Sequence, residues 1–182
     1  KLAEAAEAYE EVRAVGALLA PLASLRLSVV RFEQRRLDEA LKLIQEPIGD
    51  SVLRARAQGF RARVLEVAGR DEELAEGFET AVSADLVFKA AKARQRLGQK
   101  DRAGDLMKRV IVMSPTGDAS KGAREILRVL RPGCFEDGEG NACFSPQEIV
   151  QMAGSLYRQH ASKDVISLLK PRLKTEAFAE PG

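Results

Sequence analysis

The chain has two cysteines, Cys134 and Cys143, and one histidine, His160. These are the residue types that most often bind metals or act as nucleophiles. The stretch CFEDGEGNACFSPQEI, residues 134–149, holds both cysteines with eight residues between them, amid acids and glycines. A zinc site needs four ligands, usually with a second pair of Cys or His, and no second pair exists here. A dithiol redox pair usually has two intervening residues at a helix start, so this spacing does not suit it. Calcium fits better, because Asp137, Glu139, Asn141 and Glu148 fall at positions 1, 3, 5 and 12 of an EF-hand-like loop. Against it, position 6 holds Ala142 where the turn needs Gly, and Pro132-Gly133 interrupt the helix that should lead in.

Glu148 also has a second role. Ser145-Pro146-Gln147-Glu148 reads as a capping box, with Ser145 as N-cap and Glu148 reaching back to it. The remaining reading of the cysteines is a disulfide, Cys134–Cys143, eased by Gly138 and Gly140 in the loop it closes. Closing a loop of that length stabilises by about 2.5 kcal/mol in the chain-entropy account. Two buried free thiols are the alternative. A paired state implies an oxidising, exported compartment, whereas free thiols imply the cytoplasm.

No other pattern in the chain carries chemistry. Phosphate-binding, dinucleotide-binding, zinc-protease and nucleophile-elbow motifs are all missing from the sequence. His160 aligns with Gly69 and Gly98 at what reads as a turn, so its expected role is structural. The sequence therefore predicts no catalytic residue, no metal and no cofactor for this chain.

The elements that would position these residues are helical. The 182 residues are 45% hydrophobic and 31% charged, with Ala, Leu, Arg and Glu abundant, and these are strong helix formers. A net charge of +2 is too small to point to nucleic acid. No apolar run approaches the length of a membrane span. Lys1 is not an initiator Met, and the chain is expected to be a piece of something longer.

Pro and Gly signals divide the sequence into helix-length pieces with short connections. The pieces predict helices at 2–19, 22–34, 37–46, 51–68, 71–82, 84–97, 100–113, 118–130, 146–160 and 163–173. Within 51–68, Leu53, Phe60, Val64 and Val67 form one apolar stripe. Arg54 and Arg61 flank it on one side, Arg56 and Arg63 on the other. Arginine stems covering an apolar margin explain that pattern, and an anion-binding groove is the sharper alternative.

The pieces also repeat. Segments beginning at Arg35, Gly69, Gly98 and His160 align without gaps, at separations of 34, 29 and 62 residues. One column holds Ala40, Leu74, Ala103 and Val165, and four residues later come Ile44, Phe78, Met107 and Leu169. Residues at i and i+4 share a helix face. Twelve residues before the first column sit Ser28, Ala62, Ala91 and Ala153, small enough to let two helices approach closely.

These columns resemble the tetratricopeptide (TPR) repeat: helix, tight turn, helix. The implied fold is all-α, an α-solenoid of TPR-like antiparallel helix hairpins. It would comprise a solenoid at 1–131, the cysteine loop at 132–145, a further hairpin at 146–175 and a tail at 176–182. Two longer stretches carry a second resemblance. VIVMSPTGDASKGAREILRVL (110–130) and FSPQEIVQMAGSLYRQHASKDVISLLKPRL (144–173) are similar to the superhelical region of bacterial soluble lytic murein transglycosylases. In that family the region precedes a lysozyme-like domain that cleaves peptidoglycan, and that domain has no counterpart in this sequence. The resemblance implies a non-catalytic scaffold region of a periplasmic cell-wall protein, associated with peptidoglycan. The other expectation is a TPR-type adaptor that binds a protein partner in its concave groove.

Overall fold

Four residues adopt a left-handed backbone among the described part of the chain: Arg35 (φ 63°), Gly69 (68°), Gly98 (75°) and His160 (57°). They are the first residues of the four aligned segments. At each, the turn residue's N–H bonds the carbonyl three residues back. The next N–H bonds the carbonyl five residues back, at 2.9 Å for Arg36 to Arg31, 3.0 Å for Arg70 to Leu65, 2.9 Å for Gln99 to Arg94 and 3.0 Å for Ala161 to Leu156. This is the paired hydrogen bond of a Schellman C-cap, which satisfies the last carbonyls of one helix. The first bond of the following helix then forms at Ala40, Leu74, Ala103 and Val165. The repeat is thus a geometric unit as well as a pattern of apolar residues.

This computed structural model describes residues 1–16, 18–45, 49–135 and 141–170. The described residues are all-helical in their regular structure. They form α1 (Leu2–Val15), α2 (Ala20–Glu33), α3 (Leu37–Ile44), α4 (Ser51–Val67), α5 (Asp71–Phe78), α6 (Ala84–Arg96), α7 (Lys100–Met113), α8 (Asp118–Leu130), α9 (Pro146–Arg158) and α10 (Ser162–Leu169). Two short 3₁₀ turns, Pro132–Phe135 and Asn141–Cys143, occupy the expected cysteine loop. The expected tail at 176–182 lies outside the described residues.

Helix ends differ from expectation where a specific group stops or starts them. Helix α1 stops at Val15, where the Gly16 N–H bonds the Val12 carbonyl at 3.0 Å. Helix α2 begins at Ala20 and takes Pro21 into its first turn, where the missing N–H is not needed. Helix α5 ends at Phe78, well short of 82. Arg109 from α7 takes over the carbonyls of Glu79, Thr80 (3.4 Å) and Ala81 (3.0 Å).

The chain falls into two compact units, Lys1–Leu74 and Ala75 onward. In the first, Leu27 and Val30 of α2 pack with Ala6, Tyr9 and Leu43. In the second, the core runs through Val87 and Ala91 of α6, Met107 and Ile111 of α7, Leu127 of α8, and Ile149 and Met152 of α9. Among the repeat columns, Ser28, Ala40, Ile44, Ala62, Leu74, Phe78, Ala91, Ala103, Met107 and Ala153 are buried. Val165 and Leu169, in the last hairpin, are half-buried. The stripe on α4 departs from the sequence reading: Ala57, Ala62, Val64 and Leu65 are buried, and Val67 is 47% exposed. Phe60 sits half-buried at the margin, edge-on to Phe32 at 5.5 Å.

A non-glycine residue in the left-handed region costs roughly 1 kcal/mol relative to glycine. Gly69→Ala and Gly98→Ala should each destabilise by about 1 kcal/mol, and His160→Gly should stabilise by up to about 1 kcal/mol. Urea midpoints read these shifts, and indistinguishable effects at the three sites would contradict the turn geometry.

Candidate functional site

The disulfide, the α9 cap and the most buried ion pair all lie in the second unit. Cys134 and Cys143 are joined by a disulfide, with Cα atoms 4.7 Å apart. The Cys134 N–H bonds the Arg131 carbonyl at 3.0 Å, so one end of the staple follows directly from α8. The other end leads through buried Phe144 to Ser145. Both sulfurs are consumed in the bond, and neither is a thiolate ligand. Asp137 and Glu139, considered above for calcium, lie outside the described residues. Among the described residues, no group of three His, Cys, Asp or Glu side chains converges as a metal site requires.

Glu148 is engaged at the start of α9. Its carboxylate accepts the Ser145 N–H at 2.7 Å, while the Glu148 N–H donates to Ser145 Oγ at 3.3 Å. That is a full capping box. The sequence did not disclose its third partner, Lys108 of α7, whose ammonium lies 3.2 Å from Glu148 Oε1. Lys108 also stands over the Phe144 ring at 5.7 Å. Burial pushes the Glu148 carboxyl up, but the Ser145 N–H and the Lys108 ammonium outweigh it and hold the group below the usual range.

A second network surrounds Glu79, just past the end of α5. Arg94 of α6, with a side chain only 6% exposed, donates to Glu79 at 2.9 Å. Arg102 of α7 donates to the same carboxylate at 2.5 Å. Arg94 also bonds Gln99 Oε1 at 2.9 Å, bracing the α6–α7 turn. Burial again raises the Glu79 carboxyl, and the two guanidinium groups reverse the shift, Arg94 more than Arg102. The sequence reading missed Arg94. A faint signal existed: Arg31 and Arg94 both stand four residues before a left-handed turn residue, and both are paired with glutamates from elsewhere.

An open groove of about 910 Å³ lies where the start of α6, the α7–α8 turn and α9 come together. Asp85, Ser114, Asp118, Gln151 and Arg158 supply its polar lining, and Met113 and Val150 its apolar part. Ser155 Oγ sits 3.2 Å from the Val112 carbonyl and accepts a bond from Arg158 at 3.1 Å. Asp118 pairs with Lys121 at 2.9 Å, which holds its carboxyl down. Glu79, Asp118 and Glu148 are all shifted toward the ionised form, which suits accepting hydrogen bonds rather than donating protons at neutral pH. His160, at its turn, lies outside the groove lining.

Comparison with protein-family models, curated proteins and solved structures finds no match for the chain. The functional reading rests on the residues and geometry described above.

Two outcomes are expected. Glu79→Ala leaves the nearly buried Arg94 charge without its carboxylate and should destabilise by about 3 kcal/mol. Glu148→Gln should destabilise at neutral pH, and its difference from the parent should shrink in acid. A depressed carboxyl contributes stability above its unfolded pKa, about 4.3, and loses it as pH falls through the lower folded value. Urea denaturation at neutral and acidic pH measures both, and a Glu148→Gln difference that widens in acid would contradict the assignment.

Proposed function

We propose that this chain is a scaffold, an α-solenoid of TPR-like helix hairpins that holds other molecules in place and performs no chemistry of its own. The observation that carries this reading is the fourfold recurrence of one turn, with a left-handed residue at the same place and the same pair of hydrogen bonds. A unit that recurs in this way is what stacked hairpins need to bury a continuous core. The Cys134–Cys143 bond supports an oxidising compartment, because such bonds persist in exported proteins and are rare in the cytosol. Among the described residues, no helix is long and apolar enough to cross a membrane.

Within that frame, the favoured reading is the superhelical region of a periplasmic, peptidoglycan-associated lytic transglycosylase-like protein. The resemblance of 110–130 and 144–173 supports it, as does the disulfide. A second reading, a TPR-type adaptor for a protein partner, draws on the open groove beside α9.

Purified chain incubated with peptidoglycan sacculi should leave turbidity and soluble fragments at the level of buffer. Clearing that a single Glu→Gln change abolishes would overturn the scaffold reading. For the compartment, alkylation of native protein followed by intact-mass analysis should find labelled thiols only after reduction. Loss of the bond in Cys143→Ser should destabilise by about 2 kcal/mol. Two thiols alkylated without reductant would remove the argument for export.

A further inference from the structure

Six arginines of the first unit fall into two groups. Arg31 pairs with Glu10 and Glu39, Arg36 with Glu39, and Arg70 with Asp38 and Glu73. Arg26 and Arg56 pair with no carboxylate among the described residues, and both are exposed. Arg63 lies over the Phe32 ring at 5.2 Å, and its N–H groups bond no carboxylate among the described residues. Cation–π stacking holds the guanidinium plane in place while leaving its donors available.

These three side chains lie on exposed stripes of α2 and α4, two helices that touch through Phe32 and Phe60. On α2, Leu22, Arg26, Val29 and Glu33 follow one another at helical spacing and are exposed. On α4, Val52, Arg56, Gly59 and Arg63 do the same. The Phe32–Phe60 contact and the Arg63–Phe32 stack join the two helices along this edge. The face is therefore apolar and basic by turns, with Glu33 its one acid. Gly59 adds an independent observation. It stands in the middle of α4, where glycine weakens a helix, and a Cβ built there meets nothing within 4 Å. No neighbour in the fold requires the missing side chain.

We propose that the α2–α4 face docks an acidic peptide segment of a partner protein. Arg26, Arg56 and Arg63 receive its carboxylates, Leu22, Val29 and Val52 cover its apolar side chains, and Gly59 lets its backbone approach α4. The charge of the face selects the partner's sign, and guanidinium forks suit carboxylates. This rests on the scaffold reading and adds a partner chemistry to it.

The test is fluorescence anisotropy of a short labelled peptide alternating Glu and Leu, with a Gln-for-Glu peptide as control, on the full chain. Saturable binding of the Glu peptide alone is expected, weakening as salt is raised. Arg56→Glu with Arg63→Glu should weaken it by about tenfold or more with helicity unchanged. Gly59→Ala should raise Tm and yet weaken binding, which a merely structural glycine would not do. Equal affinity for both peptides, indifference to the double charge reversal, or binding to anionic lipid vesicles in place of the peptide would each overturn the proposal. Lytic activity on sacculi would sink the scaffold reading, whereas these outcomes sink the docking proposal alone.

Discussion

The paired hydrogen bond at each left-handed turn is the constraint on which the rest depends. A helix end leaves carbonyls without partners, and burying them unsatisfied is expensive. Here one residue with positive φ redirects two successive N–H groups to those carbonyls. The next helix starts at once, its first bonded residue fixed at a core position. Turn and core positions are locked in register: five residues separate each turn residue from Ala40, Leu74, Ala103 or Val165. A shift of one residue would rotate the apolar face by roughly 100°.

Charge then fixes what the turns leave free. Arg94 cannot be buried alone, since an unpaired cation in that setting is costly. Glu79 supplies the partner, and Arg109 occupies the carbonyls beside it, which ends α5 where it does. At the other end of the unit, the disulfide closes the connection between α8 and α9. The capping box and Lys108 set how α9 begins. Each device acts at a helix terminus, where the unmet hydrogen bonds are.

Helix existence was legible because Ala, Leu, Arg and Glu dominate and breakers are regularly placed. The boundaries were legible where a local signal acts, as at Ser145 or Gly98. They were not where a distant side chain intervenes: the end of α5 depends on Arg109, some thirty residues away. Lys108 on Glu148 is hidden for the same reason, since nothing in a one-dimensional pattern joins residues 108 and 148. Arg35 and His160 hold turn positions that glycine usually fills, and only the alignment with Gly69 and Gly98 pointed to their role. On α4 the buried face is turned round the helix from the expected stripe, so that Ala57 and Leu65 are buried while Val67 faces solvent.

Amide hydrogen exchange by NMR tests the central claim most directly. The amides of Arg36, Arg70, Gln99 and Ala161 should all be protected, since each donates to a carbonyl five residues back. The Cα shifts of Arg35 and His160 should report positive φ. Unprotected exchange at these four amides, or negative φ at Arg35 and His160, would contradict the repeated turn and remove the support it gives to the proposed scaffold.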